Sequence, residues 1–467
     1  MPLVKSSRRA MLGIVFVMAS SSVVMSQDKL SDADKKWLEE EASALITAEE
    51  VDIFESLQSK DRNLFKEVFW ARRDFDAMTP ENEFLRWYEE RVRAADKAVT
   101  QVKRGSRSDM GMVYILFGEP ETTQPENTWT YAANASLGIP GGYTFQFSES
   151  PAGPQLARTD EVEGVLERAK RHYVANRALA YIKDGEGRLQ KPAARFDPKS
   201  PVKDSLLGLI ANKAEDASIP FEVRSFFFRS SEGADYIPIL FEIDANALTW
   251  SADKTSLTIF GAAQDSEGHV LYPFDETVEL SKNDAGRVVY DVPMELPPGD
   301  YTLCFGLMDM GSSKVGTRVL EVEVPDLMAD GLQLSSTLVY TAARQVTEYA
   351  GVPGHAFQFG PVQFVPKEGT PLTFSRDETL GILYFVYGFG ANPAGQPSIT
   401  GQYVFSYQGN PKGQTAPEAL QASPQHAVGN TEIPLASFEP GKYVVQIKVT
   451  DQVTHATATR DIEFLLE

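Results

Sequence analysis

The sequence predicts a multi-domain α+β protein, in which a helical layer on a small sheet is followed by two all-β sandwiches. Three observations predict this fold class. The chain has 467 residues, which is too long for a single hydrophobic core. Apolar residues recur every three or four positions over residues 28–104, as they do in amphipathic helices. Beyond residue 219 they instead form short strand-like runs separated by turn residues.

The first 26 residues have the pattern of a secretory signal peptide. Lys5, Arg8 and Arg9 form a basic start, residues 10–19 are apolar, and the residues up to Ser26 are mostly small. The apolar run is too short for a stable transmembrane helix, although an uncleaved anchor is the alternative. We therefore expect cleavage after Ser26 and export to the periplasm or the extracellular space, with no stable membrane span in the mature chain.

The charge balance and the cysteine count narrow the classes of partner. The formal net charge is −21, and removal of the signal peptide leaves 41 basic against 65 acidic residues, a charge of −24. This balance disfavours binding to nucleic acid and to anionic lipid surfaces, so an envelope or secreted protein is the expected partner.

Cys304 is the single cysteine, and its position in an apolar run predicts a packing residue rather than a nucleophile. The oligomeric state is left open.

Helices account for most of residues 28–104. Thr47 and Glu50 form a capping box, which predicts the start of a short helix. Thr79 and Pro80 predict the start of a longer one, because Thr suits the cap and Pro the first helical position. Further helices are predicted over residues 31–46, about 60–73 and about 160–182.

Short β-rich runs complete the first domain. The continuous apolar run of residues 112–117 predicts a buried strand that ends at Gly118. Two more strands are predicted over residues 127–131 and 143–147. We therefore expect a domain over residues 28–183, and a connector over residues 184–218 with one helix at 205–213.

The remainder of the chain predicts two immunoglobulin-like sandwiches, over residues 219–326 and 330–467. Each contains about seven short strands at roughly ten-residue spacing, which is typical of this architecture. An internal repeat supports the division, since residues 296–309 and 438–451 align without a gap. Both segments carry Pro-Gly-X-Tyr followed by an alternating strand that ends in Asp.

Several motifs in residues 36–147 resemble the GWxTD domain family of exported bacterial proteins. They combine an Ile-Thr step, a Phe-Trp-X-X-Arg-Asp element, a Thr-Pro-X-Asn-Glu element and an Asp-X-Gly entry into an apolar run. The matching positions are Ile46, Thr47 and Glu50; Phe69, Trp70, Arg73 and Asp74; Thr79, Pro80, Asn82 and Glu83; Gly105 and Asp109; Gly111, Val113, Tyr114, Ile115, Gly118 and Pro120; and Trp129 with Tyr131.

The resemblance implies an architecture and an exported location rather than a reaction, because the family has no established catalytic activity. Four positions depart from its pattern. Ser106 stands in place of the family's Trp and Ser108 in place of Thr, while Met110 and Met112 occupy positions where the family usually has Arg. If those residues bind a ligand in relatives, this chain has lost part of that site.

The sequence supports no metal, cofactor or catalytic set. The five histidines are scattered without ligand spacing, and neither a nucleophile elbow nor a phosphate-binding loop is present. The candidate binding residues are therefore those of the family motifs. They are Trp70, Arg73, Asp74, Asn82, Glu83, Asp109, Gly111, Tyr114 and Gly118.

Two hypotheses fit this cluster. In the first, it is a polar pocket that binds a peptide terminus or small anion through Arg72 or Arg73. In the second, which we favour, it is a structural clamp. Arg73 would then pair with Glu83 or Asp109, Asp74 and Asn82 would cap helix ends, and Trp70 would pack on the core.

The leading functional hypothesis is an exported, non-enzymatic interaction or assembly protein. One alternative is an enzyme or degenerate enzyme with a pocket in residues 69–121, which uses Asp74, Glu83 or Asp109 as an acid or base. A second alternative is a carbohydrate-binding protein that uses aromatic residues of the strands. An enzyme should present a carboxylate in a cleft, whereas an assembly module should expose an apolar patch or an unpaired strand edge.

Overall fold

The computed structural model confirms the predicted fold class, with helices first and then many strands in several sheets. The predicted signal peptide lies outside the described residues, and so does the expected end of the helix at residue 182. The predicted domain boundaries stay predictions. The described residues are 29–74, 79, 81–123, 127–134, 137–139, 141–150, 153–174, 189, 196–197, 199–229, 235–283, 286–327, 329, 331–346 and 354–467.

The helices of the N-terminal part enclose one hydrophobic core. Both capping boxes form, at Ser31 with Asp34 and at Thr47 with Glu50. The first predicted helix is shorter than expected, because it widens into a π-helical turn over Trp37–Glu41 and ends there. The helices are α1 (Asp32–Lys36), α2 (Ala48–Ser56), α3 (Arg62–Ala71), α4 (Glu83–Ala98), α5 (Asp109–Phe117) and α6 (Asp160–His172).

Two predictions about helix starts and types are wrong. Helix α4 does not begin at Thr79 and Pro80. It begins at Glu83, because the Asn82 side chain caps it by accepting the N–H of Leu85 at 2.9 Å.

The apolar run of residues 112–117 is helix α5 rather than a strand. It is buried on nearly every side, so the run shows no amphipathic period that would separate a buried helix from a buried strand.

A small antiparallel sheet covers this helical core. It consists of β1 (Thr128–Tyr131), β2 (Tyr143–Ser148) and β3 (Gln155–Leu156), in that order. Trp129 lies opposite Phe145, and both side chains join the core with the helices. The two strands predicted here are therefore present, at positions within one residue of the expected ones.

The first sandwich packs two antiparallel sheets around a shared core. One sheet has the order β11-β10-β7-β8; in the other, β6 pairs with β4 and β5 along one edge and with β9 along the other. The strands are β4 (Phe221–Ser225), β5 (Phe228–Arg229), β6 (Asp235–Asp244), β7 (Lys254–Asp265), β8 (Val270–Ser281), β9 (Arg287–Leu296), β10 (Gly299–Asp309) and β11 (Val315–Val324).

Helix α7 (Lys203–Asn212) covers the outer face of the β10–β7 sheet. Its Leu206 and Leu209 pack there with Phe260 and Cys304. Cys304 is fully buried, and burial raises the pKa of its thiol, which agrees with a packing role.

The second sandwich also pairs two sheets. Their orders are β14-β15-β13-β17-β22-β21, with β12 on β17, and β16-β24-β23-β18-β19, with β20 on β18. The strands are β12 (Gln333–Leu334), β13 (Leu338–Gln345), β14 (Gln358–Phe359), β15 (Val362–Pro366), β16 (Thr373–Phe374), β17 (Thr379–Tyr387), β18 (Ile399–Tyr407), β19 (Asn410–Gln414), β20 (Glu418–Ala419), β21 (Gln421–Ala422), β22 (Ala427–Pro434), β23 (Gly441–Asp451) and β24 (Thr457–Leu466).

The internal repeat has the same structure in both sandwiches. Strands β10 and β23 each run for 11 residues from a glycine to a fully buried aspartate. The Asp309 carboxylate accepts the Ser312 hydroxyl at 2.6 Å, and the Asp451 carboxylate accepts the Thr454 hydroxyl at the same distance. Each aspartate thus closes the turn that leads into the next strand.

The two sandwiches are joined by a buried carboxylate. Glu242 on β6 is 4% exposed, and it accepts hydrogen bonds from Arg224 at 2.6 Å and from Arg287 at 2.7 Å. It also accepts the backbone N–H of Gly369, from the second sandwich, at 2.7 Å. Beside it, apolar side chains of both sandwiches form one buried cluster; they include Phe226, Phe228, Leu240, Leu338, Tyr340 and Leu383.

We predict that Glu242→Ala destabilises the chain by about 1–3 kcal/mol, because it removes the shared acceptor of a backbone N–H and of two guanidinium groups that solvent reaches only in part. The measurement is urea denaturation of the full chain. The matched control is Glu279→Ala, which removes an exposed pair with Lys254 and should change stability by less than about 0.5 kcal/mol. Equal effects of the two substitutions would contradict the proposed importance of the junction.

Candidate functional site

The polar centre of the N-terminal part is Glu50, which the sequence analysis treated only as a capping residue. It occupies the third position of helix α2, where its Oε2 accepts the N–H of Thr47. The same carboxylate accepts hydrogen bonds from Arg73 at 2.7 and 3.1 Å and from Arg72 at 3.3 Å. Arg73 is fully buried and Glu50 is 2% exposed. Helices α2 and α3 are thereby tied together inside the core.

Arg73 makes several further contacts beyond this ion pair. Its guanidinium donates to the backbone oxygens of Leu45 at 2.9 Å and of Phe69 at 3.0 Å. It also lies 3.7 Å from the centre of the Phe69 ring, a cation–π contact. These groups hold the guanidinium in one place, and its contacts lead inward to the core rather than outward to a ligand.

The charges of this cluster stabilise one another. Burial alone would raise the pKa of the Glu50 carboxyl, but the positive charges of Arg73 and Arg72, with the hydrogen bonds from Arg73 and Thr47, lower it overall. Glu50 therefore stays ionised in the folded chain. A general acid needs the opposite shift, so the cluster is suited to holding helices rather than to proton transfer.

The predicted partners of Arg73 are wrong. The sequence analysis paired it with Glu83 or Asp109, whereas the structure pairs it with Glu50, 23 positions earlier. The capping box placed Glu50 near the start of a helix. The ion pair of Glu50 with Arg73 was not predictable in this way, because it depends on how α2 and α3 pack. Glu83 instead accepts the hydroxyl of Thr79 at 2.8 Å near the surface.

Asn82 and Trp70 link α3 to α4. The Asn82 side chain caps α4 as predicted, and its amide nitrogen donates to the backbone oxygen of Trp70 at 2.8 Å. The Trp70 ring is partly buried and lies 5.5 Å from the ring of Tyr88 on α4. Asp74 lies three positions beyond the last residue of α3, and the capping role predicted for its side chain stays a prediction.

Asp109 is the first residue of α5 and fastens it to the sheet. Its carboxylate accepts the N–H of Leu156 on β3 at 2.8 Å and a guanidinium N–H of Arg158 at 2.7 Å. Arg158 also pairs with Glu163 on α6 at 2.8 Å. Asp109 thus joins three elements of the fold and is already occupied by protein groups.

The glycines of the same motif allow backbones to approach closely. A Cβ atom on Gly111 would lie 2.0 Å from the carbonyl oxygen of Gly105, and one on Gly105 would lie 2.3 Å from that of Val99. Ser106, in place of the family's Trp, is partly exposed, and its N–H donates to Asp96 at 2.8 Å. The tight corner between α4 and α5 therefore remains without the tryptophan.

Tyr114 and Gly118 lie at the far end of α5. Tyr114 is partly buried and packs edge-on against Trp129, with ring centres 6.3 Å apart. Gly118 ends the helix with φ of +84°, and its carbonyl oxygen accepts the hydroxyl of Tyr131 at 3.0 Å. The nine candidate residues therefore do not meet in one pocket, but lie along the contacts between α3, α4, α5 and the sheet.

A second ion-pair group was missed by the sequence analysis. Asp34 on α1 pairs with Arg62 at 3.2 Å and with Lys66 at 2.9 Å, and Arg62 is 1% exposed. Burial raises the pKa of Asp34, but hydrogen bonds from Lys66 and Ser31 and the charge of Lys66 outweigh it and lower the pKa to about 2. The i, i+4 spacing of Arg62 and Lys66 on α3 was the available sequence signal.

Among the described residues, no group of three or more His, Cys, Asp or Glu side chains could hold a metal ion. None of the helices in this part of the chain has the length and apolar character needed to cross a bilayer.

A comparison with protein families confirms the resemblance noted in the sequence. Residues 22–166 match the family model described as the GWxTD domain. The match covers the helical core and the three-stranded sheet, and it ends within α6. No curated protein matches the chain.

We predict that Gly111→Ala destabilises the chain by at least about 2 kcal/mol, because the new methyl group meets backbone atoms that cannot rotate away. The matched control is Gly208→Ala in α7, where a Cβ meets nothing within 4 Å. That substitution should stabilise the chain by about 0.5–1 kcal/mol through helix propensity. Thermal denaturation of both variants tests the pair, and a neutral effect at Gly111 would contradict the close-contact account.

Proposed function

We propose that this protein is an exported, non-enzymatic interaction or assembly protein of the bacterial envelope. The proposed export rests on the N-terminal sequence pattern. The proposed non-enzymatic role rests on the family motifs, because their polar groups are already bound within the protein. The two sandwiches then supply a rigid body and a strand edge for a partner.

The observation that carries the proposal is how the motif carboxylates are used. Glu50 is occupied by two arginines and a backbone N–H, and Asp109 by Arg158 and the N–H of Leu156. A substrate would have to displace these contacts before it could bind the carboxylates. A structural clamp uses the same contacts as they are. This supports the clamp hypothesis, with Arg73 joined to a different acid from the one expected.

Strand β24 offers a surface on which a partner could bind. Its register with β23 and the bond from the N–H of Leu465 to Leu372 show that odd-numbered residues direct their N–H groups away from β23. Strand β16 pairs only with the last two residues of β24. Over Thr457 to Glu463, no strand in the described part of the chain pairs with that edge. A strand edge of this kind can bind an extended segment by β-augmentation.

The charge of this edge indicates which segment would fit. Asp461 and Glu463 are exposed on β24. Glu463 pairs with Lys442 on β23 at 2.6 Å, whereas Asp461 contacts the uncharged side chain of Gln446 at 3.0 Å. A second copy of β24 would bring its own acids close to Asp461, which is unfavourable. We therefore propose that the occupant is an extended segment of another envelope protein, with a basic side chain opposite Asp461.

The two alternatives have weaker support. An enzyme with a site in residues 69–121 needs Asp109 or Glu83 available to a substrate, but Asp109 is bonded to Arg158 and Leu156. Carbohydrate binding needs exposed aromatic rings, whereas Phe226, Phe228 and Tyr384 are buried in apolar clusters.

The test is crosslinking capture with the mature chain, residues 27–467, in its native envelope, comparing Thr459→Pro with Thr459→Ala. Proline removes an outward N–H and leaves the ladder with β23 intact, so we expect capture to fall at least about tenfold. Alanine changes the side chain and keeps the N–H, and capture should be unchanged. Melting curves of the two variants check that both are folded.

Crosslinks of the unaltered chain give a second readout that needs no variant. They should include Lys442 or Lys448, which are exposed on β23 beside β24. Equal capture by both variants, or crosslinks confined to the helical part, would contradict the proposed edge. Retention of small molecules or glycans without any protein would contradict the interaction role itself.

A further inference from the structure

Arg91 on helix α4 is a partly buried cation that pairs with no acid in the described part of the chain. It lies in the second half of the helix, with its guanidinium carbon 5.2 Å from the centre of the Trp87 ring. Among the described residues, no carboxylate lies within 4 Å of it and no acceptor forms a hydrogen bond with it. Its five N–H donors therefore lie beside an aromatic ring, and none of them has a partner among the residues that the structure describes.

The other arginines of the same helix behave differently. Arg86 pairs with Glu81 at 2.9 Å and Arg93 pairs with Glu89 at 3.7 Å, although the side chains of Arg86 and Arg93 are 60% and 62% exposed. Solvent would satisfy those two residues in any case. Arg91 is the most buried of the three arginines. A cation without a partner is less favourable in a partly buried position than in an exposed one. Its position needs an explanation other than helix solubility.

Gly118 makes the space that Arg91 occupies. A Cβ atom at residue 118 would lie 2.6 Å from one terminal nitrogen of Arg91 and 3.2 Å from the other. The backbone there has φ of +84° and ψ of −155°, a conformation almost restricted to glycine. The glycine that ends α5 thus leaves both terminal nitrogens of the guanidinium room beside the chain.

The aromatic surroundings do not neutralise the charge. The Trp87 ring stacks obliquely on Tyr173 at 5.0 Å, and the hydroxyls of Tyr173 and Tyr131 donate to the backbone oxygens of Leu116 and Gly118. Burial raises the pKa of both tyrosines, although Arg91 acts in the opposite direction, so both stay neutral. The indole ring and the two neutral hydroxyls therefore place no negative charge beside the guanidinium.

We propose that Arg91, which lies over the Trp87 ring beside Gly118, is a binding site for a carboxylate group. A carboxylate accepts two parallel hydrogen bonds from the guanidinium fork, and the indole face holds the guanidinium plane in position. The carboxylate belongs either to the C-terminus of a peptide or to a small organic acid. This site is separate from the β24 edge and does not rest on the proposed interaction role.

The proposed site differs from the anion pocket at Arg72 and Arg73 that the sequence offered as the less favoured alternative. Both of those side chains are bound to Glu50. Arg91 lies on the next helix and has the chemistry that such a pocket would require. The sequence alone could not separate the three arginines, because their burial and pairing depend on helix packing.

The experiment titrates the mature chain with N-acetyl-trialanine carrying a free carboxylate, with the same peptide as an amide, and with acetate. Binding is followed by calorimetry and by the NMR signal of the Arg91 Nε–H group in arginine-labelled protein. We expect the free acid to shift this signal, and Arg91→Gln to weaken its affinity at least about tenfold. The matched control, Arg93→Gln on the same helix, should bind as the unaltered chain does.

Each outcome decides the proposal. Binding of the peptide acid with little response to acetate identifies a peptide terminus as the ligand, and equal molar affinities identify a small organic acid. No shift of the Arg91 signal with either acid, equal binding by Arg91→Gln, or equal binding of the amide would overturn the site. The NMR signal of the unaltered chain keeps the test valid if Arg91→Gln fails to fold.

Discussion

The N-terminal fold depends on the ion pair between Glu50 and Arg73, since it connects the start of α2 to the end of α3 inside the core. Two charges taken out of water are stable only when nearly all their hydrogen-bonding groups are satisfied. Here the Glu50 carboxylate accepts hydrogen bonds from Arg73, Arg72 and the N–H of Thr47. Arg73 also donates hydrogen bonds to two backbone oxygens. The motif Phe-Trp-X-X-Arg-Asp is therefore explained by packing, and needs no ligand.

The junction of the sandwiches repeats the same arrangement. Glu242 is almost fully buried and accepts hydrogen bonds from two arginines and one backbone N–H. Like Glu50, it joins segments that are far apart in the sequence. In both places a single carboxylate sets the geometry between elements. Loss of either acid would remove the acceptor that two cations share, which is more damaging than loss of an apolar contact of the same size. A protein without disulfides can obtain rigid junctions in this way.

The sequence predicted features that depend on local chemistry. The capping box at Thr47 and the cap at Asn82 follow from short-range hydrogen bonds. Helix α5 was mistaken for a strand because a run buried on nearly every side has no periodicity to show. The partner of Arg73, the clash at Gly111 and the unpaired Arg91 were out of reach, because each depends on how separate helices pack.

The most direct test of the account is a double-mutant cycle on Glu50 and Arg73, with Glu50→Gln, Arg73→Met and the double variant compared by urea denaturation. The account predicts that each single substitution lowers stability by about 3–5 kcal/mol, since each breaks the short Glu50–Arg73 pair and leaves the remaining buried charge with fewer hydrogen bonds. The double variant should lose at least about 2 kcal/mol less than the sum of the two. Additive losses, or single losses below about 1 kcal/mol, would contradict a clamp built on this pair.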